Sequence, residues 1–328
     1  MFNDAVILVT GGTGSWGYEL IQQLLTYHPK KLIVFSRNEN SQVQMSRVIN
    51  NSKLSFCIGD IRDKDAVIKA MEGVDYVFHL AALKHVPVCE VQPLEALKTN
   101  VTGTQNIIEA AIQNRVKKVI NVSTDKAAGP SNFYGMTKAI GEKLIIFANK
   151  TTETTKFMCV RGGNVLGTNG SVLDLFINQI KERNEVSITD LRMTRFFLSK
   201  EDAIALLLKA AMDGKGGETF ILKSPACRIV DLAAVLIDAY GNGDERMIEC
   251  GMRPGEKLHE VLISDNEVED TIVYNDDYLI LLPTLDIPGL KEAYSSCSPL
   301  EKGTYSSNDL LMTRAEIKQM LIDGGFLS

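Results

Sequence analysis

Near its start the chain passes from an apolar stretch, Ala5-Val-Ile-Leu-Val9, directly into Thr10-Gly-Gly-Thr-Gly-Ser-Trp-Gly17, and then into a segment with Leu20, Ile21, Leu24 and Leu25 at helical spacing. A short run that is apolar at every position and rich in β-branched residues reads as a strand buried on both faces, as in a parallel sheet. Glycines at 11, 14 and 17 let the backbone come close to a ligand, and the free N–H groups and positive dipole end of the next helix attract a pyrophosphate. No other feature constrains the fold as strongly. Strand, glycine turn and helix in that order predict a doubly wound α/β domain with a dinucleotide at the carboxyl ends of its strands.

The pattern continues along the first half. Leu32 to Phe35, Lys53 to Ile58, Val74 to His79 and Lys117 to Val122 read as further strands, and Pro93 to Gln113 as one long helix. The second strand ends in Ser36-Arg37 with no acidic residue, which suits a 2′-phosphate and points to NADP rather than NAD. Gly59-Asp60-Ile61 is expected to border the adenine, and the small residues Ala81 and Ala82 let the cofactor lie close. The fifth strand delivers Ser123-Thr124-Asp125-Lys126 to the same edge as the glycine turn, and Tyr134 and Lys138 follow. Four residues apart on a helix, a phenol and an ammonium share one face, and the charge favours the phenolate. Alone, Tyr-x-x-x-Lys matches many solvated helix faces; its place at the carboxyl edge is what selects it.

Beyond a sixth strand at Met158 to Arg161, the chain is expected to leave this domain after about residue 165. Residues 166–265 then form mainly a substrate lobe, with a strand near 217–222 returning to the first domain. Helices are predicted for Ser171 to Arg183, Ser199 to Met212 and Ile229 to Tyr240, and a further helix beginning near Gly255 carries Glu256 and His259. Residues 266–328 hold an apolar run, Tyr278 to Leu282, and an amphipathic end, Thr313 to Leu321. They cover either the substrate lobe or an oligomer contact.

Composition narrows the function classes. A net charge of −6 without a long basic run argues against nucleic acid. The six cysteines form no C-x-x-C pair and the four histidines lack metal-ligand spacing, so reduced cysteines and no metal site are expected. No run approaches the roughly 18 apolar residues of a membrane helix, and the first residues lack the basic flank of a signal peptide. A cytoplasmic protein without a membrane partner is expected.

The T-G-x-x-G-x-x-G turn, the Ser123-Thr124 pair and Tyr134-x-x-x-Lys138 resemble the extended short-chain dehydrogenase/reductases that act on nucleotide sugars. Ser123-TDKAAGPSNFYGMT-Lys138, Ile188-TDLRMTR-Phe196 and Gly251-MRPGEKLH-Glu260 are similar to the UDP-N-acetylglucosamine 4,6-dehydratases, in particular the inverting type of pseudaminic acid biosynthesis. The resemblance runs from about Ala5 to about Ile263. It departs at Gly162, where the family usually has Tyr, and at Trp16, where it usually has Phe. It implies a Rossmann-type doubly wound parallel sheet with a smaller α/β substrate-binding lobe, an NADP used and regenerated within one turnover, a UDP-sugar substrate and a homo-oligomer.

The residue roles it implies are these. Tyr134 takes the proton of the sugar 4-hydroxyl, Lys138 tunes Tyr134 and contacts the nicotinamide ribose, and Thr124 binds the 4-oxygen. Asp125 is the acid for the carbon 6 hydroxyl, and Lys126, neutralised by burial, is the base at carbon 5. Gly11, Thr13, Gly14, Ser15, Trp16, Gly17, Ser36, Arg37, Asp60, Ile61, Ala81, Ala82 and Lys84 join Tyr134 and Lys138 around the cofactor. Lys84, Asn164, Ser171, Val172, Arg195, Arg253 and Glu256 face the UDP-sugar, with Arg195 and Arg253 on its diphosphate. Two rivals remain: a 4-epimerase or a configuration-retaining dehydratase on the same sugar nucleotide, and a non-catalytic NADP-binding protein.

Overall fold

The computed structural model describes residues 1–168, 170–301 and 303–327. Strand β1 (Val6–Thr10) leads through the glycine turn into α1 (Ser15–Thr26), followed by β2 (Lys31–Ser36), α2 (Glu39–Ile49), β3 (Leu54–Ile58), α3 (Lys64–Ala70) and β4 (Tyr76–His79). Helices α4 (Val86–Val91) and α5 (Pro93–Leu97) come next. A π-helical turn (Lys98–Thr102) then joins α5 to α6 (Gly103–Gln113). The long helix expected from Pro93 to Gln113 therefore exists, but with one widened turn, a device that aims side chains away from the regular ladder. Strand β5 (Lys118–Val122), α7 (Phe133–Ala148) and β6 (Lys156–Arg161) close the first half.

The second half begins with β7 (Asn164–Val165), α8 (Val172–Arg183), β8 (Glu185–Ile188), β9 (Thr194–Leu198) and α9 (Lys200–Asp213). It continues through β10 (Thr219–Leu222), β11 (Ala226–Arg228), α10 (Ile229–Tyr240), β12 (Arg246–Glu249) and β13 (Val261–Ile263). Last come β14 (Thr271–Val273), β15 (Tyr278–Leu281), α11 (Leu290–Ala293), β16 (Ser298–Pro299), β17 (Tyr305–Ser306) and α12 (Arg314–Asp323). The helix expected near Gly255 is absent. Residues 251–260 run irregularly, and His259 forms an isolated bridge with Thr194. Gly255, at φ +78°, lies in the left-handed region, which interrupts a right-handed helix.

Strands order as β16-β14-β15-β10-β6-β5-β4-β1-β2-β3 in the main sheet. From β3 to β10 all neighbours are parallel; β15, β14 and β16 extend the edge antiparallel. Because β1 and β4 are adjacent, the crossovers diverge there and open a crevice at the carboxyl ends. A second core unites Leu173, Phe176 and Ile180 of α8 with Leu232 and Leu236 of α10. Ile317 and Leu321 of α12 are fully buried in the same core, so the amphipathic end covers this lobe, whereas the Tyr278 to Leu282 run joins the main sheet. Among the described residues no helix is long and apolar enough to cross a membrane.

His79 ends β4 and pins the crevice floor. Its Nδ1 lies 2.7 Å from Thr10 Oγ1 and its Nε2 3.3 Å from Thr104 Oγ1. The Thr104 hydroxyl donates to the Asn100 carbonyl, so it accepts from Nε2–H, and the ring is neutral. Burial, reinforced by the Lys138 charge, holds its pKa down at about 3. An unfolded chain binds this proton near pH 6.5, the native one only near 3, so stability falls as pH drops through that window, at up to about 1.4 kcal/mol per pH unit. Urea unfolding at pH 7 and pH 4.5 should show that loss in the native protein and a smaller one in His79→Gln.

Candidate active site

The acid–base stretch is built on three close backbone approaches. Thr124 leaves β5 extended, and its Oγ1 accepts a 3.4 Å bond from the Lys126 N–H, capping a short 3₁₀ turn over Asp125–Ala127. The Asp125 N–H donates to the Gly162 carbonyl at 3.0 Å, which fixes the turn to the end of β6. Helix α7 then starts at Asn132, whose Oδ1 accepts from the Gly135 N–H at 2.8 Å. A Cβ on Gly135 would collide with the Lys126 carbonyl oxygen, so the first turn of α7 rests directly on the turn that holds Asp125 and Lys126. The result places Thr124, Lys126, Tyr134 and Lys138 on one cavity wall.

Asp125 is fully buried. Its Oδ1 accepts from Thr124 Oγ1 at 2.8 Å and from Lys126 Nζ at 3.0 Å, while Oδ2 is buried without a partner. Lys126 Nζ also lies 3.5 Å from Glu260 Oε1 and 3.5 Å from Asn164 Oδ1. Burial acts against this ammonium, but Asp125 and Glu260 outweigh it and hold the lysine above its usual range. The expected neutral Lys126 is thus corrected: two carboxylates keep it charged here. Burial pushes the Tyr134 phenol up to about 12, against the opposing pull of Lys126 and of the neighbouring Thr124 hydroxyl. Burial lowers Lys138 to about 8, moderated by Cys159 and Glu142. Lys126 thus acts on Tyr134 as well as on Asp125, an influence that the four-residue spacing of Tyr134 and Lys138 does not reveal.

These groups open on a cavity of about 700 Å³ that runs from the glycine turn to the second lobe. Gly11, Gly14, Ser15, Trp16, Gly17, Ala81, Ala82 and Lys84 line one end; Asn164, Ser171, Val172, Arg195, Arg253 and Glu256 line the other. Burial lowers the Lys84 pKa. Six of the expected residues lie off this wall: Thr13, Ser36, Arg37, Asp60, Ile61 and Asp125. Ser36 accepts a hydrogen bond from Gln42, Asp60 is bound by Arg62, and Ile61 is buried under Gly103. Arg37 stays largely exposed, with Nη1 3.9 Å from Asp60. Arg195 donates from Nη1 to the carbonyls of Thr194 and Leu258, and its Nε lies 3.7 Å from Glu260.

Sequence reasoning missed three supports. Glu260, 3% exposed, closes the Gly251 to Glu260 motif, yet only the fold shows that it meets Lys126. Asn100 on the π turn holds both backbone groups of Leu83 and donates to Thr137 of α7, so it joins the cavity wall to that helix. Arg161, 1% exposed, pairs with Glu142 of α7 and with Glu267.

The glycine turn fits a dinucleotide. Gly11 sits at φ +67°, and a Cβ there would lie 2.8 Å from the Ala81 nitrogen. Gly14 caps α1 without a side chain, and no acidic residue stands in the first turn, so the positive end of the helix dipole meets the glycine turn without a carboxylate of its own. A family model described as polysaccharide biosynthesis protein matches residues 7–281. The chain belongs to this family. A relative from Campylobacter jejuni (strain 81-176) named UDP-N-acetylglucosamine 4,6-dehydratase (inverting) is 42% identical over 94% of this chain and 94% of its own. A relative from Rickettsia rickettsii named UDP-glucose 4-epimerase is also 42% identical, over 98% of this chain and 96% of its own. Among solved structures, Pen from Bacillus thuringiensis superposes with a TM-score of 0.94 at 39% identity over the whole of both chains.

A Cβ on Gly17 would collide with the backbone of Gly12, so α1 can only sit on the turn with glycine there. Gly17→Ala should cost about 2 kcal/mol or more in chemical unfolding and weaken nicotinamide-dinucleotide binding in calorimetry.

Proposed function

We propose that this polysaccharide biosynthesis family member is an NADP-dependent 4,6-dehydratase of UDP-N-acetylglucosamine that inverts carbon 5. The observation that carries the reading is the Asp125–Lys126 pair, an acid and a base additional to Tyr134 and Lys138, with Lys126 on the same cavity wall and Asp125 buried directly behind it. Oxidation at carbon 4 alone needs only the second couple; elimination across carbons 5 and 6 needs the first as well.

When bound, NADP supplies the oxidant at carbon 4 and later the reductant at carbon 6. The chain supplies proton transfers and placement. Tyr134, as the phenolate that the neighbouring Lys126 charge favours, removes the 4-hydroxyl proton while Thr124 holds the oxygen. The resting pair is Lys126 ammonium and Asp125 carboxylate, 3.0 Å apart. Moving one proton across that bond yields an amine and a carboxylic acid, the two states that elimination requires. The amine takes the carbon 5 proton, which the 4-keto group has acidified; the acid gives its proton to the leaving hydroxyl, and water departs. Lys126 then holds a proton to return to carbon 5. Arg195 and Arg253 face the diphosphate, with Glu256, Ser171, Val172, Asn164 and Lys84 around the rest of the UDP-sugar.

Arg37 supports NADP over NAD: its exposed guanidinium stands at the end of β2 with no carboxylate on that strand end. Exposed Val91, Leu94 and Phe147 on α4, α5 and α7 support a homo-oligomer. The family description supports a place in surface-glycan or nonulosonic acid synthesis, and we read the enzyme as cytoplasmic. The epimerase name of the Rickettsia relative favours a second reading, 4-epimerisation of a UDP-hexose through Thr124, Tyr134 and Lys138.

Proton NMR in heavy water separates the two. With UDP-N-acetylglucosamine and NADP, a new carbon 6 methyl with deuterium at carbon 5 is expected; a galacto epimer without a methyl would favour epimerisation. Lys126→Ala should slow methyl formation by about 100-fold or more, whereas an epimerase would tolerate it. Calorimetry of Arg37→Ala should show NADP affinity falling by about tenfold with NAD affinity little changed.

A further inference from the structure

The segment after β12 and the acid–base stretch are bonded to each other at several points. The Gly255 carbonyl accepts from Ser131 Oγ at 3.0 Å and from Asn132 Nδ2 at 2.9 Å. Lys257 Nζ donates to the Ala128 carbonyl at 2.7 Å. Gly255 has φ +78°, and a Cβ on it would stand 2.8 Å from the Asn132 Cβ, so the two backbones meet where only glycine fits. The segment is itself closed: the Glu256 N–H donates to the Arg253 carbonyl, and the Arg253 N–H to Glu256 Oε2. Both Arg253 and Glu256 line the cavity.

Asn132 has two tasks at once. It is 6% exposed, and its Oδ1 caps the helix on which Tyr134 is the second residue. Its Nδ2 holds the turn that presents Arg253. A serine or threonine would cap the helix equally well; only an amide also has a donor on the far side.

We propose that Asn132 is a positioning residue that couples the Arg253–Glu256 turn to the first turn of α7, so that the grip on the substrate's diphosphate and the placement of the Tyr134 hydroxyl change together. This rests on the reading above that Arg253 meets the diphosphate and Tyr134 performs proton transfer. A cap alone would influence stability. A coupler influences the affinity of a ligand that Asn132 does not touch, and the turnover number with it.

The test uses the full-length protein with UDP as the binding probe and UDP-N-acetylglucosamine with NADP for turnover. Asn132→Ser keeps the cap and removes the amide donor. Its affinity for UDP should fall by about tenfold, the effect of one lost hydrogen bond, and kcat should fall alongside, with thermal unfolding close to that of the native protein. Arg253→Ala alone should weaken UDP by about tenfold or more, and in the Asn132→Ser background the further loss should shrink to about twofold. Native UDP affinity and native kcat in Asn132→Ser would overturn the coupling and leave only a cap. Losses that simply multiply in the double variant would overturn it too. If Arg253→Ala binds UDP normally, the diphosphate assignment fails, and the coupling fails with it. Should Asn132→Ser not fold, Ser131→Ala removes the outer donor to Gly255 and leaves Asn132 in place. It should show smaller losses of the same sign in UDP affinity and kcat, and no loss in either would overturn the proposal.

Discussion

Placing the ammonium of Lys126 at the wall of a cavity requires carboxylates beside it, and much of the second half of the chain is arranged to supply one. Asp125 comes from the neighbouring position in sequence, but Glu260 comes from far along the chain. Its backbone exchanges two hydrogen bonds with Ser307, whose hydroxyl lies 2.6 Å from Thr194 Oγ1; Thr194 in turn meets His259 Nδ1 at 2.8 Å. Removing one partner from a buried ion pair costs about 3–5 kcal/mol, because the remaining charge is stranded. The cluster of Asp125, Lys126, Glu260 and Arg195 is therefore a condition on the fold as well as a piece of chemistry: the two lobes must close around it in one way.

A second buried charge serves the same geometry from behind. Arg161, at the end of β6, gives Nε and Nη2 to the Glu142 carboxylate of α7, and Nη1 to the Leu262 carbonyl and Glu267. Sheet, α7 and the segment after β13 are thereby held by one planar group with five donors in fixed directions, which a lysine could not replace. Glu142 stands one helical turn after Lys138, so the same clamp places a negative charge near the lysine whose pKa burial depresses.

Much of this was legible in the sequence because it is local. Apolar runs near residues 5, 32, 74, 117 and 158 became parallel strands, and the glycine at 17 is required by a contact with Gly12 inside one supersecondary unit. The Thr124 to Lys138 stretch reached the cavity because strand order brings every carboxyl end to one edge. What failed was non-local. The helix expected after Gly255 does not form, since Gly255, Lys257 and His259 are committed to bonds with segments more than sixty positions away. A π turn inside a long amphipathic pattern leaves no periodicity signature, so the reach of Asn100 was invisible. The charge on Lys126 was misread because burial was given more weight than the adjacent Asp125, and because the second carboxylate, Glu260, lies 134 positions downstream.

The pairing of Glu260 with Ser307 has a consequence for synthesis. The first half carries the glycine turn, the 3₁₀ turn and Tyr134 long before their counter-charge exists. Domains generally form as units during translation, N-terminal first. Here the glycine turn can take shape early, but the second carboxylate beside Lys126 is fixed only when residues as late as Ser307 have left the ribosome and β17 has paired with β13. The Asp125–Lys126 pair is thus made early and its second carboxylate arrives late, so that completion of the cluster coincides with closure of the tertiary structure.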